Sequence, residues 1–309
     1  MKEQAVVFGN ERSLVGIMSD PPEEKLISTS PAIIILNSGI VHRVGPNRIY
    51  VKMARYLSAM GFLVLRFDFS SIGDSLPRRD NLPFVKSAIR EVREAMDYLS
   101  QSRGARQFVL IGSCSGARVS FQTACQESRV IGAFLINHNR APEDANERAG
   151  AESASEATAR YYRQVALFNP QSWKRIFTGR ADYRRIASVL RATMKRPFTE
   201  ETATLETMRF MANIRALAER HVRVLFVWSE GDSGVENFKD MGDLVKAGAV
   251  KFRTIPKTDH TFSSLDDQRR LCDAMGEWVC HWVSASLHNG YARSKLSIAV
   301  DDRVTVTSA

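Results

Sequence analysis

Residues 108–117 read Phe-Val-Leu-Ile-Gly-Ser-Cys-Ser-Gly-Ala, and the rest of the chain is best understood outward from them. The run Phe108-Val109-Leu110-Ile111 is apolar throughout, which suits a strand buried on both faces. Gly112-Ser113-Cys114-Ser115-Gly116 follows, and then a helix-compatible segment from Ala117 to Gln126. Small residues between a strand and a helix permit a sharp, strained turn that thrusts its middle side chain above the sheet edge. Here that side chain is the thiol of Cys114, flanked by Ser113 and Ser115. The same five residues also suit an inert glycine-rich turn holding a buried cysteine, because short patterns recur by chance. The neighbouring chain has to decide.

On the N-terminal side, Ala5 to Phe8 and Leu14 to Met18 form an expected hairpin around Gly9-Asn10. Ala32 to Leu36 (Ala-Ile-Ile-Ile-Leu) has the continuous apolar character of a central strand and ends in Asn37-Ser38-Gly39. Helix spacing predicts segments from about Asn47 to Ala59 and from about Leu82 to Ser100, with a strand from Phe62 to Phe67 between them. On the C-terminal side, strands are expected at Val130 to Ile136, Val222 to Trp228 and Val250 to Ile255. Helices are expected from Val235 to Ala247 and from Asp266 to Leu287. This alternation predicts an α/β fold with a mostly parallel central sheet flanked by helices.

Between about Arg140 and Arg220 the rhythm changes to helical patterns rich in charge. The chain is therefore divided into a core of residues 1–139 and 221–288, a helical cap insertion over 140–220 and a polar tail over 289–309. The middle of the insertion is basic, with Lys174, Arg175, Arg180, Arg184, Arg185, Arg191, Lys195 and Arg196. Such a run is either a solvated helix face or a docking surface for an acidic partner.

The 309 residues include 44% hydrophobic and 25% charged side chains, ordinary for a globular protein. A net charge of +9 favours acidic partners through long-range steering. No zinc-finger spacing or RNA-binding aromatic signature accompanies it, so nucleic acid is not expected. Four cysteines in so long a chain make no disulfide framework and show no C-x-x-C pair, and no metal is expected. No G-x-G-x-x-G follows the first strand and no phosphate loop occurs, so no cofactor is expected. Without a signal-peptide core or a run long enough to span a bilayer, the expected location is cytoplasmic.

A thiol nucleophile needs a base within hydrogen-bond reach and a third group to orient that base. In an open parallel sheet such groups collect at the carboxyl ends of strands. Three of those ends carry Cys114, Asp232 and His260, in the order expected for a nucleophile elbow of this kind. Glu230 competes with Asp232 for the acid role. His42, Arg43 and His138 lie at strand ends nearby and are candidate substrate contacts, whereas His221, His281 and His288 read as structural or solvated. An oxyanion site requires backbone donors, expected from Ser115 and from Ser38 or Gly39.

These motifs resemble the α/β-hydrolase fold superfamily over about residues 5–287. The resemblance is carried by Asn37-Ser38-Gly39, Arg66-Phe67-Asp68 with Gly73-Asp74-Ser75, the Cys114 turn, Trp228 to Asp232 and Asp259-His260-Thr261-Phe262. The loop Asn37 to Arg48 is also similar to hydrolases associated with bacterial exosortase systems. Cysteine replaces the serine of most relatives. Dienelactone hydrolases resemble this chain in that respect, as do some carrier-protein thioesterases, which also share a sizeable insertion. The resemblance implies acyl transfer through a Cys114 thioester. The donor would be an acyl thioester, on an acidic acyl carrier protein if the basic insertion docks one. Water, an alcohol or an amine would accept the acyl group. A small-molecule esterase or lactonase, and a non-catalytic binding protein, are the alternatives.

Overall fold

A computed structural model describes residues 1–25, 30–78, 82–138, 200–230 and 250–287. Eight strands form one sheet: β1 (Lys2–Phe8), β2 (Leu14–Asp20), β3 (Ala32–Leu36), β4 (Val64–Phe67), β5 (Phe108–Ser113), β6 (Val130–Ile136), β7 (Arg223–Ser229) and β8 (Val250–Ile255). Their spatial order is β1-β2-β4-β3-β5-β6-β7-β8. The hairpin β1–β2 and the pair β2–β4 are antiparallel, and every later pair is parallel. The helices are α1 (Ile49–Ala59), α2 (Phe84–Arg103), α3 (Ser115–Gln126), α4 (Glu200–Glu219) and α5 (Leu265–Leu287).

The continuous apolar strands follow from a sheet covered on both sides. Alternate residues of each strand feed opposite cores. Ile34 and Leu36 of β3, Leu110 of β5 and Phe226 of β7 pack with α2, α3 and α4. Ile33 and Ile35, Val109 and Ile111, and Val227 pack with α1 and α5 on the other face. Burial of each such side chain stabilises by roughly 1.5–3 kcal/mol, which is why β3, β5 and β6 hold no exposed position.

Most element limits agree with expectation to within one to three residues, as with β3, β6 and β8. Residues 200–219, expected in the cap insertion, form α4, whose Phe210, Ile214 and Leu217 are buried in the core against α3. A parallel β6–β7 pair needs a crossover on a sheet face, and α4 supplies its covering helix. The rest of the expected insertion up to 199, the expected helix at 235–247 and the tail lie outside the described residues. Among the described residues no helix is long and apolar enough to cross a membrane.

The order of the strands positions the site. From β3 the chain steps outward to β4, then returns past β3 to β5 and continues the other way. The loops leaving β3 and β5 therefore diverge and open a crevice at the carboxyl edge, where open α/β sheets bind ligands.

Candidate active site

Cys114 stands in that crevice at the first bend after β5. Its backbone has φ 54° and ψ −113°, a conformation rarely adopted by a residue with a side chain. Two close approaches enforce it. A Cβ on Gly112 would lie 2.3 Å from the Gly116 backbone, and one on Gly116 would lie 2.3 Å from the Asn37 carbonyl oxygen. The Cys114 amide donates to the Ile136 carbonyl at 2.9 Å, tying the turn to β6. The thiol is half-buried at the N-terminus of α3.

Around the thiol stand two expected backbone donors. Ser115 is the first residue of α3, so its amide has no acceptor within the helix. The Gly39 amide belongs to a tight turn in which Val41 N–H donates to Ser38 O at 3.0 Å, and Gly39 has φ 55°. In this structure the Gly39 N–H donates to the Ser115 hydroxyl at 2.7 Å. The turn after β3 is thus docked on the elbow by the side chain that follows the nucleophile.

The wider loop is held from the β4 side. Asn37 accepts from Phe69 N–H at 2.8 Å and donates to the Val41 carbonyl at 2.9 Å and to Asp68 at 3.3 Å. Asp68 is fully buried and also receives the Arg43 amide and guanidinium, which reaches Asp74 as well. Arg43, a candidate substrate contact by sequence, has its guanidinium engaged by two carboxylates and acts as a clamp on this loop. His42 beside it is exposed.

His260 is half-buried on the loop after β8, where Asn47 donates to Thr261 O at 3.3 Å and Gln268 donates to Phe262 O at 2.9 Å. Beside it stands Asn137, whose side-chain nitrogen lies 3.4 Å from His260 Nδ1 and 2.9 Å from the His260 carbonyl oxygen. The Asn137 side-chain oxygen accepts from Ser229 N–H at 2.8 Å. One buried amide therefore joins the ends of β6, β7 and β8. Asn137 directly follows Ile136, the acceptor of the Cys114 amide, so the elbow and the histidine loop meet on adjacent residues of β6. The sequence signal for Asn137 is weak: a lone asparagine after an apolar strand reads as a terminator. Its left-handed φ of 48° and its burial supply the meaning.

Asp232 lies outside the described residues. Its competitor Glu230 is exposed and accepts from the Lys257 amide, bracing the loop before His260. Asp259 turns to Thr261 and Ser263 instead of to its neighbour. Burial alone would raise its pKa, and the bonds from Ser263 and Thr261 outweigh that and lower it. His138 is buried among Phe121, Phe210 and Phe226, with ring centroids 5.4, 5.8 and 5.5 Å away, more a part of the core wall than of the crevice. A hollow of about 820 Å³ beside the histidine loop includes Asp259, Asp267 and Arg270 in its lining. Both carboxylates are already bonded, Asp259 to Ser263 and Asp267 to Arg270.

A model of the Alpha/beta hydrolase family matches residues 43–274. Solved structures of similar fold include an alpha-beta serine hydrolase homologue from Coxiella burnetii, at 14% identity and a TM-score of 0.51 over 89% of this chain and 96% of that one. A serine hydrolase without lid from Xanthomonas campestris has 14% identity and a TM-score of 0.52 over 91% and 95%. The esterase domain of a Rhodothermus marinus protein has 19% identity and a TM-score of 0.51 over 90% and 97%. At such identities the likeness is one of fold. Among curated protein sequences none matches this chain significantly.

Proposed function

Since the chain belongs to the alpha/beta hydrolase family, we propose that it is an acyl-transfer enzyme working through a thioester on Cys114. The observation that carries this reading is the strained Cys114 turn at the head of α3, adjoining the His260 loop through Ile136 and Asn137. His260 takes the thiol proton, with Asp232 as its orienting acid. The thiolate attacks the acyl carbonyl, and the amides of Ser115 and Gly39 receive the negative charge that develops on oxygen. The bond to the leaving group breaks, and His260 returns the proton to it. Water, an alcohol or an amine then attacks the Cys114 thioester, His260 accepts its proton, and the thiolate departs.

An acyl thioester is the favoured donor, because exchange of one thioester for another is nearly balanced in free energy. The net charge of +9 supports an acidic acyl carrier protein as its bearer. The basic run at 174–196, which would dock it, lies outside the described residues. A second reading, a small-molecule esterase, draws on the esterase domain among the similar folds. Turnover of an acyl thioester and the oxygen ester of the same acyl group separates the two. The thioester should react faster, and Cys114→Ala should abolish both reactions. Faster turnover of the oxygen ester would favour the esterase. Activity that survives Cys114→Ala would remove the proposal.

A further inference from the structure

Three side-chain amides from three separate parts of the chain grip the backbone at His260. Asn137, after β6, donates to the His260 carbonyl at 2.9 Å. Asn47, in the loop before α1, donates to the Thr261 carbonyl at 3.3 Å. Gln268 of α5 donates to the Phe262 carbonyl at 2.9 Å. Successive carbonyls of one short loop are thus each held from a different side. The loop needs holding, because Lys257 and Phe262, before and after His260, have left-handed φ of 53° and 51°. Residues with bulky side chains keep such angles only where their surroundings over-determine them.

Asn137 also faces the ring, its side-chain nitrogen 3.4 Å from His260 Nδ1. Two main-chain partners fix which way this carboxamide points: Oδ1 accepts from Ser229 N–H at 2.8 Å, and the nitrogen donates to the His260 carbonyl. The Asn137 backbone amide donates to Val227 O at 2.8 Å, and one residue earlier Ile136 O accepts from Cys114 N–H at 2.9 Å. The group that holds the histidine therefore stands on the strand end that anchors the nucleophile turn. A carboxamide is uncharged. It fixes the loop without opposing the imidazolium that His260 becomes on taking the thiol proton, as a lysine or arginine there would. We propose that Asn137, supported by Asn47 and Gln268, is a positioning residue that sets His260 against Cys114. This rests on the reading above for the role of His260 as the base.

At φ 48° a glycine replaces Asn137 without backbone strain, so Asn137→Gly removes the carboxamide alone. Its kcat with an acyl thioester should fall about 10- to 100-fold, with KM unchanged. Alkylation of Cys114 by iodoacetamide, which needs an activated thiol but no acyl substrate, should slow about tenfold. In the His260→Ala background the same substitution should slow neither reaction further, because its effect passes through the imidazole. Asn47→Gly removes an exposed side chain at φ 51° and should fold like the parent while lowering kcat about threefold. Parent rates in folded Asn137→Gly would overturn the proposal. Slowing as large in His260→Ala as in the parent would also overturn it, by placing the effect on the fold or the thiol. Should Asn137→Gly fail to fold, the Asn47→Gly rates decide: a loss confined to the His260 protein supports the proposal and parent rates overturn it. A parent that never acylates Cys114, yet whose alkylation depends on Asn137 only while His260 is present, loses the acyl-transfer reading and keeps this assignment.

Discussion

Gly112 and Gly116 carry no side chain because there is no room for one, and that shortage of space shapes the nucleophile turn. Gly116→Ala would drive a methyl group onto the Asn37 carbonyl oxygen from 2.3 Å, against backbone that cannot easily yield. It should cost about 1–3 kcal/mol in urea denaturation and move Cys114 out of register with its amide donors. The four cysteines should also differ in reactivity. Burial pushes the thiols of Cys125 and Cys272 up to about 12, leaving little thiolate near neutrality. Cys114 is half-buried at a helix N-terminus. With limiting iodoacetamide at neutral pH, peptide mapping should find Cys114 alkylated well before Cys125 or Cys272. Equal labelling would contradict the burial of the Cys125 and Cys272 thiols as the source of the difference.

The loop after β3 works as a unit because Asp68 holds it from beneath. Arg43→Ala would strip the guanidinium from that buried carboxylate and leave it only neutral donors, the Asn37 side chain and the backbone amides of residues 43 and 74. The expected cost is about 3 kcal/mol by denaturant titration, with a fall in kcat as the Gly39 amide loses its position. Strands β3, β5 and β6 were legible from sequence because burial on both faces leaves an uninterrupted apolar run. The common edge of the loops that carry Cys114 and His260 was legible because parallel strands deliver their ends to one side. Contacts between distant loops were not. Arg43 with Asp68 and Asp74, and Asn137 with His260, are polar pairs without periodicity, and only the fold brings them together. The packing of α4 on α3 was hidden for a related reason. Its charged outer face obscures the spacing of Phe210, Ile214 and Leu217, and the buried stripe is defined by α3 beneath it.

Across the molecule, the switch in strand order turns a β3 loop, a β5 elbow and a β8 histidine loop into one crevice. Stability at acid pH depends on carboxylates spread through the fold. Glu127 is held below its ordinary pKa first by the bond from Arg129, and Glu3 first by that from Arg55. Asp267 is lowered first by Ser264. Groups lowered in the folded chain stabilise it above the ordinary carboxylate range, and that contribution is lost as pH falls through the lowered values. Melting temperature should therefore drop below about pH 4, and Glu127→Gln should flatten that decline. The central claim is the Cys114 thioester, and intact-protein mass spectrometry after brief incubation with an acyl thioester tests it most directly. The account predicts a mass increase of one acyl group that maps to the peptide carrying Cys114, is released by hydroxylamine and is absent from Cys114→Ala. No adduct on the parent protein at any time or pH, or one that persists in Cys114→Ala, would contradict it.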